Sequence, residues 1–198
     1  TREMLSDISF LKKMDNLHIE DVDFYSFHWD LFSKNDVAIK LDFDFYTKNK
    51  QGEQLNSTNT ILGSNIFVEK GAKVNCAILN TETGPIYIGK DAEIMEGATI
   101  RGPFVLNENA GVKMGAKIYG ATTIGPHCKV GGEISNSILI GYSNKGHDGF
   151  LGNSVIGEWC NLGADTNNSN LKNNYSNIRA WNYHQATFIE TGLQFLGL

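Results

Sequence analysis

Stepping by six from Ile88, the chain reads Ile88, Ile94, Ile100, Leu106, Val112, Ile118, Ile124, Val130, aliphatic at every step. The residue four places after each is Ala92, Ala98, Phe104, Ala110, Ala116, Thr122, Cys128 and Ile134, small in all but two cases. The same unit occurs upstream in Val68–Val74. Downstream it recurs at Phe150, Ile156 and Leu162, with Ser154, Cys160 and Thr166 at the small site. A period of six fits neither an α-helix nor a plain alternating strand. It fits a short strand followed by a corner. Three such units close a triangular coil of about 18 residues, with coils spaced like neighbouring strands at about 4.8 Å. Ile88 should then stack on Leu106 and Ile124, and Ile94 on Val112 and Val130. The pattern predicts a β-solenoid over residues 61–198, stabilised by coil-on-coil packing.

Residues 1–60 read differently. Leu5, Ile8, Leu11 and Met14 recur at helical spacing and predict a short amphipathic helix over 3–15. Val37–Tyr46 partly alternates apolar and polar, which predicts strands or an extended connector. Residues 48–60 are polar and loop-like. There is no initiating Met, and the final residues, Leu193-Gln-Phe-Leu-Gly-Leu198, are apolar where a solenoid should end in a polar cap. We therefore expect a segment of a longer polypeptide.

Composition sharpens the picture. The chain holds 21 Gly and 21 Asn, the two residues that enter left-handed backbone conformations most cheaply, as a corner-rich fold demands. With 17 Lys+Arg against 22 Asp+Glu, the net charge is −5, which argues against nucleic-acid binding. No apolar run approaches the ~20 residues of a membrane span, and no signal-peptide layout is present. Three cysteines without a CxxC pair point to reduced thiols in a cytoplasmic protein and against a cysteine zinc site.

The hexads fail twice. The six-step from Val130 lands on Asn136, Tyr142 and Asp148 before the phase resumes at Phe150. A bulge is expected there, carrying the polar loop Tyr142–Gly149. A second failure follows Leu162, in the Asn-rich stretch Asp165–Tyr175. Loops projecting from a rigid scaffold are where sites usually sit.

The stretch Asn144-Lys-Gly-His147-Asp-Gly-Phe150 through Asn161-Leu-Gly-Ala to Asn170 resembles the acetyltransferase half of bifunctional N-acetylglucosamine-1-phosphate uridyltransferase/glucosamine-1-phosphate acetyltransferases. It is similar in particular to their Bacteroidetes-type sugar nucleotidyltransferase-like branch. Trp29–Lys34, Gly84–Gly89 and Glu93–Ala98 look like the same branch. The resemblance implies an all-β fold, a left-handed parallel β-helix, joined through the helix and linker of residues 1–60 to an upstream nucleotidyltransferase domain. It implies a homo-oligomer, a trimer, with acetyl-CoA as acyl donor and an amino-sugar phosphate as acceptor. Mg²⁺ and a nucleoside triphosphate are implied only for the upstream domain. His147 matches the family's general base, and Asn161 and Asn170 match residues lining the sugar or donor site. Glu133 matches an acidic site residue, and Lys117 stands where the family has an arginine. Phe150 replaces a tyrosine, and Ser135 a phosphate-binding lysine.

The chemistry fits those residue types. An imidazole with a pKa near 6.5 can take a proton from an amine at neutral pH, and carboxamides can orient a sugar or an amide. Asn161 and Asn170 serve equally well as corner residues. Lys145, Lys172 and Arg179 are each candidates for a phosphate. His127 reads as a corner residue, Trp159 and Trp181 as packing residues, and no His spacing suits a metal. Two readings stay open: a CoA-dependent sugar N-acetyltransferase, favoured by His147 with Asn161, and a non-catalytic trimerising or regulatory solenoid, favoured by Phe150 and Ser135.

Overall fold

In the computed structural model, which describes residues 24–168 and 170–197, the chain forms a parallel β-helix of six coils. The helix expected over 3–15 lies outside the described residues. The coils lay short strands on three faces, six on each of the first two and five on the third. The first face stacks Thr60–Leu62, Ile78–Asn80, Thr99–Arg101, Lys117–Ile118, Glu133–Ser135 and Phe150–Gly152. The second runs from Ile66–Val68 to Val155–Glu158, and the third from Lys73–Val74 to Asn144–Lys145. The expected columns are present: Ile88 pairs with Leu106 and Leu106 with Ile124, while Ile94 pairs with Val112 and Val112 with Val130. All of these are fully buried, as are the small residues Ala92, Ala98, Ala116 and Cys128 at the corners and Thr122 at the start of a strand. Corners are turned by left-handed residues such as Asn109, His127 and Asn153, so His127 is the corner residue expected.

The predicted bulge between Val130 and Phe150 does not form. The coils shrink instead. Val130 pairs with Lys145, only 15 residues on, and Ile134 with Leu151. The inward series continues as Ile134, Leu139, Lys145, Leu151 and Ile156, so Leu151 rather than Phe150 points inward. Buried serines make the tighter winding possible. Ser143 Oγ donates to the Gly157 carbonyl at 2.8 Å and accepts from the Cys160 amide at 2.8 Å. Ser137 Oγ likewise accepts from the Ser154 amide at 3.3 Å. A hydroxyl that bridges two coils does the work of a missing peptide group.

Asparagine side chains also finish both ends of the described prism. Asn59 accepts from the Ala77 amide and donates to the Val74 carbonyl, at 3.0 and 2.8 Å. At the other end Asn167 accepts from the Phe150 amide at 2.8 Å, and Asn168 accepts from the Gly152 amide at 3.0 Å. A carboxamide carries the donor and acceptor of a peptide group, so it can satisfy a bare strand edge.

Val37–Tyr46, expected as strand or extended connector, lies in a helix, α1 (His28–Thr47). Apolar residues fall at 37, 39, 41, 43 and 45, which mimics a strand. In the helix Ile39 and Phe43 are buried, while Val37, Leu41 and Phe45 are exposed on the other side. Two apolar stripes, each at i, i+4, hide the helical period. Trp29, Phe32, Asn35, Ile39 and Phe43 form the buried stripe. It lies over the second face, where Val105 and Thr123 belong to an outward column. Asn35 fixes the register: Nδ2 donates to the Ala121 carbonyl at 2.6 Å, and Oδ1 accepts from Thr123 Oγ1 at 3.1 Å. The Asp30 carboxylate accepts the Ser26 and Phe27 amides at 2.8 and 3.0 Å, which anchors the helix start.

Candidate active site

The third face is narrow, two residues per strand, and its outward column ends in Lys129, Asn144 and Asn161. The corner leading off it carries Lys113 on one coil and Gly146-His147 on another. These residues, with Leu162, Gly163 and Ala164, line one cleft of about 330 Å³. His147 is exposed, on a corner between the strands Asn144–Lys145 and Phe150–Gly152. That corner is seated on Gly132, which has φ +71°. A Cβ built on Gly132 would lie 2.9 Å from the His147 carbonyl oxygen and 2.7 Å from that of Gly149, so only glycine admits this approach.

The cleft brings together two of the expected site residues, His147 and Asn161. Asn161 is not a left-handed corner residue; it sits on the strand-like bridge to Asn144 and lines the cleft. Lys117 and Glu133 pair with each other on the first face. Lys117 lines a separate groove there, with Arg101 and Tyr119. Asn170 lies beyond the last strand of the first face, its Nδ2 close over Gly152. One chain therefore divides the expected set between two faces.

The phosphate candidates are placed elsewhere. Lys145 is not a surface cation: it is 1% exposed and occupies the inward column between Val130 and Leu162. Its ammonium donates to the carbonyls of Gly131 and His147 at 3.2 and 2.6 Å. Lys172 donates to the Asn177 carbonyl at 2.8 Å. Arg179 begins a two-stranded antiparallel hairpin, Arg179–Asn182 with Thr187–Glu190, where it lies 5.7 Å from the Phe188 ring centre and 4.0 Å from Glu190. The cations that do line the cleft are Lys113 and Lys129. They come from different coils, so their convergence needs the coil register, which short motifs do not carry.

Desolvation holds the Lys145 ammonium below its ordinary 10.5, with Asp148 and Asp165 acting in the opposite direction. Below the depressed folded value both states are protonated and the folded chain bears the whole burial cost. Between that value and 10.5 the unfolded chain binds the additional proton, so this residue's contribution to stability improves as pH rises. The stability of Lys145→Met minus that of the wild type should therefore fall between pH 7 and pH 10, read from urea midpoints. A pH-independent difference would contradict this.

Trp159, expected as a packing residue, stacks one ring face on its neighbour and stays 77% exposed. His127, Tyr142 and Trp159 stack on successive coils, with ring centres 4.8 and 4.9 Å apart and planes within 11° and 8°. Trp181 packs edge-on against Phe188 at 5.1 Å. A cavity of about 420 Å³ lies between α1 and the second face. Ile39, Phe43, Tyr46, Tyr87 and Val105 are among its walls, with Asp42 as its one carboxylate. Among the described residues no group of three His, Cys, Asp or Glu is placed to hold a metal ion, and no helix is long and apolar enough to cross a membrane. The chain matches no protein-family model and no curated protein.

Proposed function

We propose that the third-face cleft is an acyltransferase site, in which His147 removes a proton from the amine of an amino-sugar phosphate while acetyl-CoA supplies the acyl group. The observation that carries this reading is the convergence of His147, Asn161, Lys113 and Lys129 in one cleft. A parallel β-helix is compatible with such a domain. The imidazole accepts the amine proton as nitrogen attacks the thioester carbonyl. The C–S bond then breaks, and the imidazolium returns the proton to the departing thiolate. The Asn161 carboxamide can orient the acceptor, and the two ammonium groups offset the charge of its phosphate.

In this reading a homotrimer sets the first face of one copy beside the cleft of another. Lys117 and Glu133 then complete a site that one chain divides. Nucleotidyl transfer with Mg²⁺ and a nucleoside triphosphate would belong to a separate domain.

Truncating both cleft lysines supplies the test. Lys113→Ala with Lys129→Ala should raise KM for glucosamine 1-phosphate by on the order of tenfold or more, the loss of one charge-assisted contact or two. KM for unphosphorylated glucosamine should stay within about twofold. Thiol release from acetyl-CoA reports both. Equal effects on the two sugars would remove the phosphate from the account. The alternative, a non-catalytic oligomerising solenoid, is favoured by Phe150, which offers no hydroxyl, and it predicts no thiol release with either sugar.

A further inference from the structure

We infer that Lys145 is a positioning residue for His147: enclosed in the prism, its ammonium clamps the His147 carbonyl to the Gly131 carbonyl of the preceding coil, and so fixes the corner from which the imidazole projects. The inference rests on the reading of His147 as the base.

The register makes Lys145 an anomaly. Its column reads Val74, Ile94, Val112, Val130, Lys145, Leu162, aliphatic at every other level. A leucine or methionine would fill the same space without taking a charge out of water, which costs several kcal/mol for an unpaired ion. What the lysine adds is a set of donors, and it spends them on two carbonyls. One belongs to the coil beneath, Gly131 at 3.2 Å. The other belongs to the candidate base two residues along, His147 at 2.6 Å.

The clamp also falls where the winding needs it. At 15 residues, the step from Val130 to Lys145 is three shorter than the 18 that separate Ile94 from Val112 and Val112 from Val130. The corner that follows has its end on Gly132, and the Glu133 amide donates to the Gly149 carbonyl at 3.1 Å. The middle of the corner is reached by the lysine from inside. Gly146 has no heavy atom near its would-be Cβ, so side-chain packing does not hold that point. A tie from beneath leaves the outer side of His147 open to a ligand.

The test uses Lys145→Met in the intact protein, since methionine matches the aliphatic column and keeps the stem without the donors. The inference expects kcat for acetyl transfer to fall at least tenfold, with KM for acetyl-CoA within about twofold. It also expects the Glu133 amide, at the end of the loosened corner, to exchange with solvent at least tenfold faster. The Glu93 amide, bonded to Ala110 at 2.9 Å two coils below, serves as the unaffected reference. Lys145→Gln retains a donor and should recover part of both effects, and it replaces the methionine variant should that one fail to fold. Unchanged kcat with unchanged Glu133 exchange, in a protein that His147→Ala inactivates, would overturn the clamp alone. Faster Glu133 exchange without any loss of kcat would overturn the positioning role. If His147→Ala is itself fully active, the base assignment fails, and faster Glu133 exchange in Lys145→Met would still support the clamp.

Discussion

His147→Ala is expected to lower acetyl transfer to an amino-sugar phosphate by at least about 10²-fold, the usual contribution of a positioned general base. Its fold should be unaltered. His147 is exposed, its corner is tied down through its own carbonyl by Lys145, and the neighbouring Gly146 has open space around it. Removing the imidazole therefore breaks no contact that holds a coil, and stability should stay within about 0.5 kcal/mol of the wild type. KM for acetyl-CoA should change little if the imidazole acts on the proton in the transition state rather than by binding the donor. Steady-state thiol release together with circular dichroism checks both parts. Full activity in the variant would refute the role.

The second large effect concerns the prism. Ile124→Ala should destabilise the fold by about 2–5 kcal/mol, the range for deleting most of a buried aliphatic side chain and leaving a cavity. Ile124 has no exposed surface and lies between Leu106 and Leu139 on neighbouring coils. The wall around it cannot close readily, because ladder hydrogen bonds on three faces fix its distance from both neighbours. Ile140, on the outer side of the next strand and 43% exposed, makes the control. Ile140→Ala should fall within about 0.5 kcal/mol of the wild type. Urea midpoints at constant m give the comparison. Similar losses at both positions would mean that burial in the prism is not what stabilises the chain.

The middle coils were readable because three things agreed there. Ile88 to Val130 keeps a strict spacing of six, every inward residue is aliphatic, and the corner positions are mostly small. The register of Ile88 with Leu106 and Ile124 followed from that arithmetic alone. The next coils were opaque for a physical reason. Inward positions at Ile134, Leu139, Lys145, Leu151 and Ile156 are five or six apart, and one is a lysine, so neither spacing nor hydropathy marks them. Buried hydroxyls of Ser137 and Ser143 compensate for the missing residues, and a serine in sequence looks like a loop. Helix α1 was misread because Val37, Leu41 and Phe45 put apolar side chains on its outer side as well. Within the site, His147 and Asn161 stood out by resemblance and do share a cleft. Lys113 and Lys129 had no local signature. Once the strand pairings are known, Lys129 falls in one outward column with Asn144 and Asn161. Of the cations singled out from sequence, Lys145 is the one whose burial reverses its meaning. Outside the prism it would be a phosphate ligand; inside, it holds backbone.

The most direct test of the catalytic account is product analysis. The intact protein is incubated with acetyl-CoA and glucosamine 1-phosphate at neutral pH, and free thiol and acetylated sugar are quantified together. The account predicts equimolar thiol and N-acetylated sugar phosphate over many turnovers, with neither formed when the sugar is omitted. Thiol release no faster than in buffer, with no acetylated product, would contradict it.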